Sequence, residues 1–170
     1  MSRRLVRLAV SLLGALALLI PATACHASSI AKPKCPKVLP ALPFKVGHDY
    51  GHPAPRKPLV AVLCVYNTVD TPQALLGRQD ISNPVGFARA LNASQLLPKV
   101  QNFACTMDIG PTSVVILREI NGRTTYISHE EYGCGFLRSS LTSNKYRLTD
   151  ANRPLWQKYQ LRVIGPVGTK

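Results

Sequence analysis

Hydrophobic positions divide the chain into three stretches. Residues 8–20 form an apolar run interrupted only by Ser11 and Gly14. Residues 26–58 show no hydrophobic period and hold seven of the fourteen prolines. From Leu59 onward, patterns with the periods of strands and helices return. Leu59-Val60-Ala61-Val62-Leu63-Cys64-Val65-Tyr66 is an apolar, β-branched run and predicts a strand. Leu75 to Ser82 predicts a second, less apolar one. Ser82 or Asn83 then offers a helix N-cap with Pro84 at the first helical position. Val85, Ala88 and Leu91 recur at helical spacing with Phe87 beside them, and Asn92-Ala93-Ser94 closes the helix.

The most definite pattern is a hairpin. Ser113 to Ile120 and Arg123 to His129 flank Asn121-Gly122. Asn-Gly takes the positive φ values of a two-residue type I′ turn, whose twist matches paired strands. That turn would set Leu117 opposite Tyr126 and Ile116 opposite Ile127. Asp150 to Val163 predicts a closing helix, with Leu155 and Tyr159 one turn apart and Trp156 adjacent. The sum is an α+β domain, β-β-α-β-β-α, with two helices on one face of a small antiparallel sheet.

The first stretch changes the picture from fold to address. Arg3, Arg4 and Arg7 precede the apolar run, and Pro21 and the small residues Ala22-Thr23-Ala24 follow it. Charged, apolar and small, in that order, make a secretory signal. The run is shorter than the roughly 20 residues a bilayer span needs. Residues 1–24 therefore read as a signal peptide, 25–58 as a proline-rich tether and 59–170 as the domain. Semi-rigid proline-rich chain suits a tether.

Cysteines refine that reading. There are five: Cys25, Cys35, Cys64, Cys105 and Cys134. An odd cysteine in an exported chain asks for a reason. Cys25 directly after Ala22-Thr23-Ala24 fits a bacterial lipobox, although Ala22 stands where Leu or Val is usual. A lipid on Cys25 would leave four cysteines to pair and would anchor the chain at the outer face of the membrane. Cleavage further on, after Ala27, would instead remove Cys25 and leave a plainly secreted protein. Export permits disulfides. Of the three pairings open to four cysteines, order along the chain favours Cys35–Cys64 and Cys105–Cys134. Each would stabilise by about 3 kcal/mol on the loop-entropy model.

Charge comes next. Removing residues 1–24 takes three arginines and no acid, so the formal charge falls from +13 to +10. A basic exported protein meets anionic wall polymers and lipid headgroups before nucleic acid, and nucleic acid is not an expected partner. Only Lys32-Lys34-Lys37 and Arg56-Lys57 cluster.

Candidate chemistry is sparse. No Cys-x-x-Cys, no Gly-x-Ser-x-Gly elbow and no phosphate-cradling glycine loop occurs. His48-Asp49-Tyr50-Gly51-His52 carries imidazole and carboxylate groups that suit zinc or copper. An envelope metal-binding protein is one alternative function on that ground. His129 and Glu131 point to one side by strand alternation, which makes an acid–base pair conceivable. No catalytic residue, metal ligand or cofactor site is assigned on these patterns. A non-enzymatic binding or structural module is the reading they favour.

Three places carry a resemblance: Cys64-Val65-Tyr66; Ala90-Leu91-Asn92-Ala93 followed by Cys105-Thr106-Met107-Asp108-Ile109-Gly110; and Asn121-Gly122-Arg123-Thr124 leading to Gly133-Cys134-Gly135. With these the chain resembles a small disulfide domain of uncharacterised exported proteins and lipoproteins of actinobacteria. The resemblance implies an exported fold and brings no activity. Cys105-Thr106-Met107-Asp108-Ile109-Gly110-Pro111 also resembles the reactive loop of the Streptomyces subtilisin inhibitor family, with Thr106 where that family has proline. It implies inhibition of a subtilisin-type protease as an alternative function, with Met107 and Asp108 flanking the reactive bond.

Overall fold

The computed structural model describes residues 30–42, 44–69, 71–99, 110–131 and 133–164. Among these, seven strands form one antiparallel sheet accompanied by two helices. In chain order they are β1 (Val60–Tyr66), β2 (Leu75–Asp80), α1 (Pro84–Asn92), β3 (Gln95–Leu96), β4 (Thr112–Arg118), β5 (Thr124–Glu130), β6 (Phe136–Ser139), β7 (Thr142–Arg147) and α2 (Arg153–Ile164). Across the sheet the order is β2-β1-β4-β5-β6-β7-β3.

The centre of the sheet is buried on both faces. Leu63, Val65, Val115 and Leu117 join Phe87, Ala88 and Leu91 of α1 and Trp156 and Tyr159 of α2 in one cluster. Val62, Cys64, Tyr66, Val114 and Ile116 form a second cluster on the opposite face. A strand buried on both sides reads as a continuous apolar run, which is how β1 reads.

Local chemistry sets the helix ends. Asn83 caps α1 by accepting from the Gly86 backbone N–H at 2.9 Å, and Pro84 follows it at the start of the helix. A Cβ on Gly86 would meet the Asn83 side chain at 2.5 Å, so the cap needs glycine there. Phe87, Ala88 and Leu91 are buried, while Val85, expected on the same face, is exposed. The last helix begins at Arg153 and not at Asp150. Pro154 is tolerated only in the first turn of a helix, which fixes the start beside it. Asn152 links the two helices by donating from Nδ2 to the Ala90 carbonyl at 2.9 Å.

The second face is covered by the proline-rich stretch. Cys35 is bridged to Cys64 in β1. The Tyr66 hydroxyl donates to the Pro36 carbonyl at 3.1 Å. The Leu75 and Leu39 backbone N–H groups bond the Lys37 and Gln73 carbonyls, each at 3.0 Å. The chain then turns back, and Phe44 packs on Tyr126 of β5 with ring centroids 5.8 Å apart. Further on, Tyr50 N–H donates to the Leu141 carbonyl at 2.9 Å, and Ser139 Oγ donates to the Pro53 carbonyl at 2.6 Å. Ala54 reaches α1, where its N–H donates to Asn92 Oδ1. Residues expected as a tether thus make an out-and-back pass over the sheet. Proline serves well in such a cover, since it lacks only a donor that no ladder would have used.

The hairpin departs from its expected geometry. Ile116 pairs with Tyr126 and Val115 with Ile127, one residue away from the expected register. Gly122 N–H donates to the Glu119 carbonyl, and Glu119 N–H to the Arg123 carbonyl. Gly122 has φ +81°, and among the described residues no non-glycine residue has positive φ. The loop is therefore three residues, Ile120-Asn121-Gly122, ending in a left-handed glycine, and not the two-residue type I′ turn. The extra residue moves Ile127 to the helix face and Tyr126 to the covered face. β3, β6 and β7 extend the sheet beyond the four strands expected. β7 shows the half-buried alternation of a strand with a polar side: Thr142 and Tyr146 are buried, Ser143 and Lys145 exposed.

Candidate functional site

A groove opens where the covering segment meets the edge of β6 and β7. Phe44 and Val46 form one wall; Arg138, Ser139, Thr142, Ser143, Asn144 and Lys145 form the other, around about 220 Å³. Phe136 lies beneath two of the cations. The Arg138 guanidinium is 5.5 Å and the Lys145 ammonium 5.1 Å from its ring centroid. Such contacts hold a cation over the negative face of a ring. Arg138 Nε is 3.6 Å from Glu130 Oε1, whereas Lys145 makes no ion pair among the described residues. Asp49 stands at the margin. Its carboxylate accepts from Ser143 Oγ at 2.8 Å and from the Gly51 N–H at 2.9 Å. Hydrogen bonds from Thr142, Ser143 and Gly51 hold its carboxyl far below the usual carboxylate range. The arrangement offers a concave, partly apolar seat with two cations for a small anionic group.

In the histidine cluster of residues 48–52 the rings pack on one another. His48 stacks edge-on against Tyr50 at 4.8 Å and Tyr50 lies 6.3 Å from His52. Asp49, the carboxylate that would complete a metal site, is committed to the β6–β7 turn. Among the described residues, no group of three or more His, Cys, Asp and Glu is placed to hold a metal ion.

Strand alternation does not relate His129 to Glu131, because β5 ends at Glu130, but both residues meet α2. The Glu131 carboxylate accepts a hydrogen bond from Gln160 Nε2, and burial raises its pKa. The His129 ring lies 5.3 Å from Trp156 and is only 5% exposed. Burial, with the Arg153 charge nearby, depresses its pKa to about 4. Ser113 is directly opposite His129 across the β4–β5 ladder. His129 Nδ1, Ser113 Oγ and Trp156 Nε1 are buried without hydrogen-bond partners among the described residues. Each expected partner, His129 or Glu131, thus finds a different neighbour.

Cys35 and Cys64 are brought together as expected, in the middle of β1. Cys25, Cys105, Met107 and Asp108 lie outside the described residues, and with them the lipid site, half of the second expected bridge and the inhibitor's reactive bond. No helix of the described residues is long and apolar enough to cross a membrane. The groove itself escaped sequence reasoning. Its one trace is the alternation of cation and aromatic in Phe136-Leu137-Arg138 and Lys145-Tyr146-Arg147. Compared with known proteins, the chain matches no family model, no curated protein and no solved structure.

Proposed function

We propose that this is an exported, lipid-anchored, non-enzymatic binding module at the outer face of a bacterial cell membrane. The observation that carries the reading is the order of the first residues: arginines, an apolar run, small residues and then Cys25. The formal charge of +10 left after residue 24 indicates the partner class, anionic polymers or headgroups of the envelope. The groove of Arg138 and Lys145 supports it by offering cations on a shaped surface. A second bridge, Cys105–Cys134, belongs to the same reading. So does the resemblance to exported actinobacterial domains.

Intact mass of the protein taken from the membrane fraction tests the anchor. A diacylglyceryl adduct on a chain beginning at Cys25, with the other four cysteines oxidised, is the expected result. A chain cut after Ala27 and free of lipid refutes it. Binding to anionic wall polymer should weaken as salt rises. Salt-independent binding, or none across the envelope fractions, removes the binding role.

A further inference from the structure

The covering segment fixes where the chain enters the fold. The Ala31 carbonyl accepts from Arg118 Nη1 at 3.1 Å, and Lys32 Nζ is 2.6 Å from Asp80 Oδ2. Arg118 ends β4 beside the β4–β5 turn, and Asp80 ends β2 at the same end of the sheet. Only six peptide spans separate Cys25 from Ala31, about 20 Å when fully extended. A lipid on Cys25 would therefore hold this end of the sheet against the bilayer.

The same end has the composition of a membrane-contact surface. Ile120, at the tip of the β4–β5 turn, is 80% exposed. Leu59, bonded through its N–H to the Arg118 carbonyl, is 45% exposed, and Tyr50 is 43% exposed. Arg56 and Lys57 precede Leu59 and are exposed. Arg123 lies over the Tyr50 ring and donates to its hydroxyl at 2.9 Å. Three acids share this end, and each is engaged: Asp80 by Lys32 and Arg78, Glu119 by Arg123, Asp49 by Ser143 and Gly51. The cations Lys32, Arg56, Lys57, Arg78, Arg118 and Arg123 outnumber them by three.

We propose that this end of the sheet is a membrane-facing surface: Ile120 enters the lipid boundary while the surplus cations meet acidic phospholipid headgroups. The inference rests on the Cys25 anchor. It also reverses the role expected of the proline-rich stretch, which folds onto the sheet and keeps the domain close to the bilayer. Exposed apolar side chains flanked by Lys and Arg bind interfaces through both burial and charge. Each Lys or Arg near an anionic leaflet contributes roughly fivefold to partitioning.

The test uses the full lipidated chain in phosphatidylglycerol-containing vesicles with brominated acyl chains. Ile120→Trp places a reporter at the turn, and Leu96→Trp places one on β3, toward the opposite end. Trp156, the only native tryptophan, is buried and common to both. The Ile120→Trp variant should lose most of its added emission to the bromolipid, and the Leu96→Trp variant should keep its own. Adding Arg56→Glu and Lys57→Glu to Ile120→Trp should return the signal to the Leu96→Trp level. Equal quenching at both positions, or none at position 120 in vesicle-bound protein, overturns the surface. Lipid found on Cys25 by intact mass leaves the anchor standing in that case. A chain that carries no lipid and does not associate with the vesicles overturns both.

Discussion

His129 provides the sharpest quantitative test of the fold. It is buried in β5 where that strand meets α2, with Trp156 against its ring, Ser113 across the ladder and the Arg153 charge acting on it. Glu131, just beyond the end of β5, is engaged by Gln160. The folded state holds His129 neutral, with a pKa near 4 against 6.5 for the free side chain. As pH falls below 6.5, the unfolded chain takes up a proton that the folded chain refuses. The stability present above pH 6.5 is therefore lost as pH falls toward 4, and the loss levels off once the folded state protonates too. Each pH unit in that window costs about 1.4 kcal/mol, so the whole window costs about 3 kcal/mol. That is a large share of the 5–15 kcal/mol typical of a domain.

Urea unfolding of wild type and His129→Leu across pH 7.5 to 3.5, at constant ionic strength, measures it. Carboxylates such as Asp49 and Asp80, both held below their ordinary range, also lose stability in acid, but in both proteins alike. The difference between the two curves isolates the imidazole. It should grow with a slope of about 1.4 kcal/mol per pH unit between pH 6.5 and 4 and be flat above. At pH 7 the variant should be no less stable, since leucine removes a buried unsatisfied Nδ1. Superposable curves would mean that His129 is solvated or paired in the folded state, and the packing of α2 on β5 described above would be wrong.

Three other outcomes follow from particular contacts. Replacing Cys35 by Ser and Cys64 by Ala opens a bridge of sequence separation 29, and should cost about 3–4 kcal/mol in guanidinium unfolding. Gly86→Ala should cost about 1 kcal/mol by the same measurement, because its Cβ would displace the Asn83 cap. Leu63→Ala empties a fully buried site at the centre of β1 and should cost 2–5 kcal/mol, read as a lower denaturant midpoint with unchanged m-value.

The parts of the fold legible in the sequence are those fixed by neighbours in the chain. Asn83-Pro84 marks the start of α1 by capping chemistry alone, and β1 is apolar enough to be a strand in any context. The hairpin shows the limit. Asn121-Gly122 serves a two-residue turn or a three-residue loop closed by a left-handed glycine, so the turn does not choose the register. Alternation would normally choose it, but β4 is buried on both faces and offers apolar residues at either parity. β5 adds no vote, with Tyr126 and Ile127 side by side. β6 is too short and β7 too polar to announce strands; burial of Thr142 and Tyr146 depends on neighbours distant in sequence. The groove was hidden for the same reason, since Phe44 and Lys145 meet only through the fold.

One sign of the covering segment was nevertheless present in β1. An edge or one-sided strand would alternate apolar with polar residues, and β1 does not. Its second face, Val62, Cys64 and Tyr66, needed a cover before any helix was assigned to the first. Among the described residues α1 and α2 both contribute to the opposite cluster, so the cover comes from the stretch that precedes β1. Cys35 is the one residue of that stretch with a covalent reason to lie there, and Cys64 sits at the middle of the face it closes. Two consequences follow together. Any change that frees residues 35–46 from the sheet exposes an apolar face, so the cover is part of the stable unit. And because the same segment starts beside Arg118, fastening it to the sheet sets which end of the domain a lipid on Cys25, as proposed, would bring to the membrane.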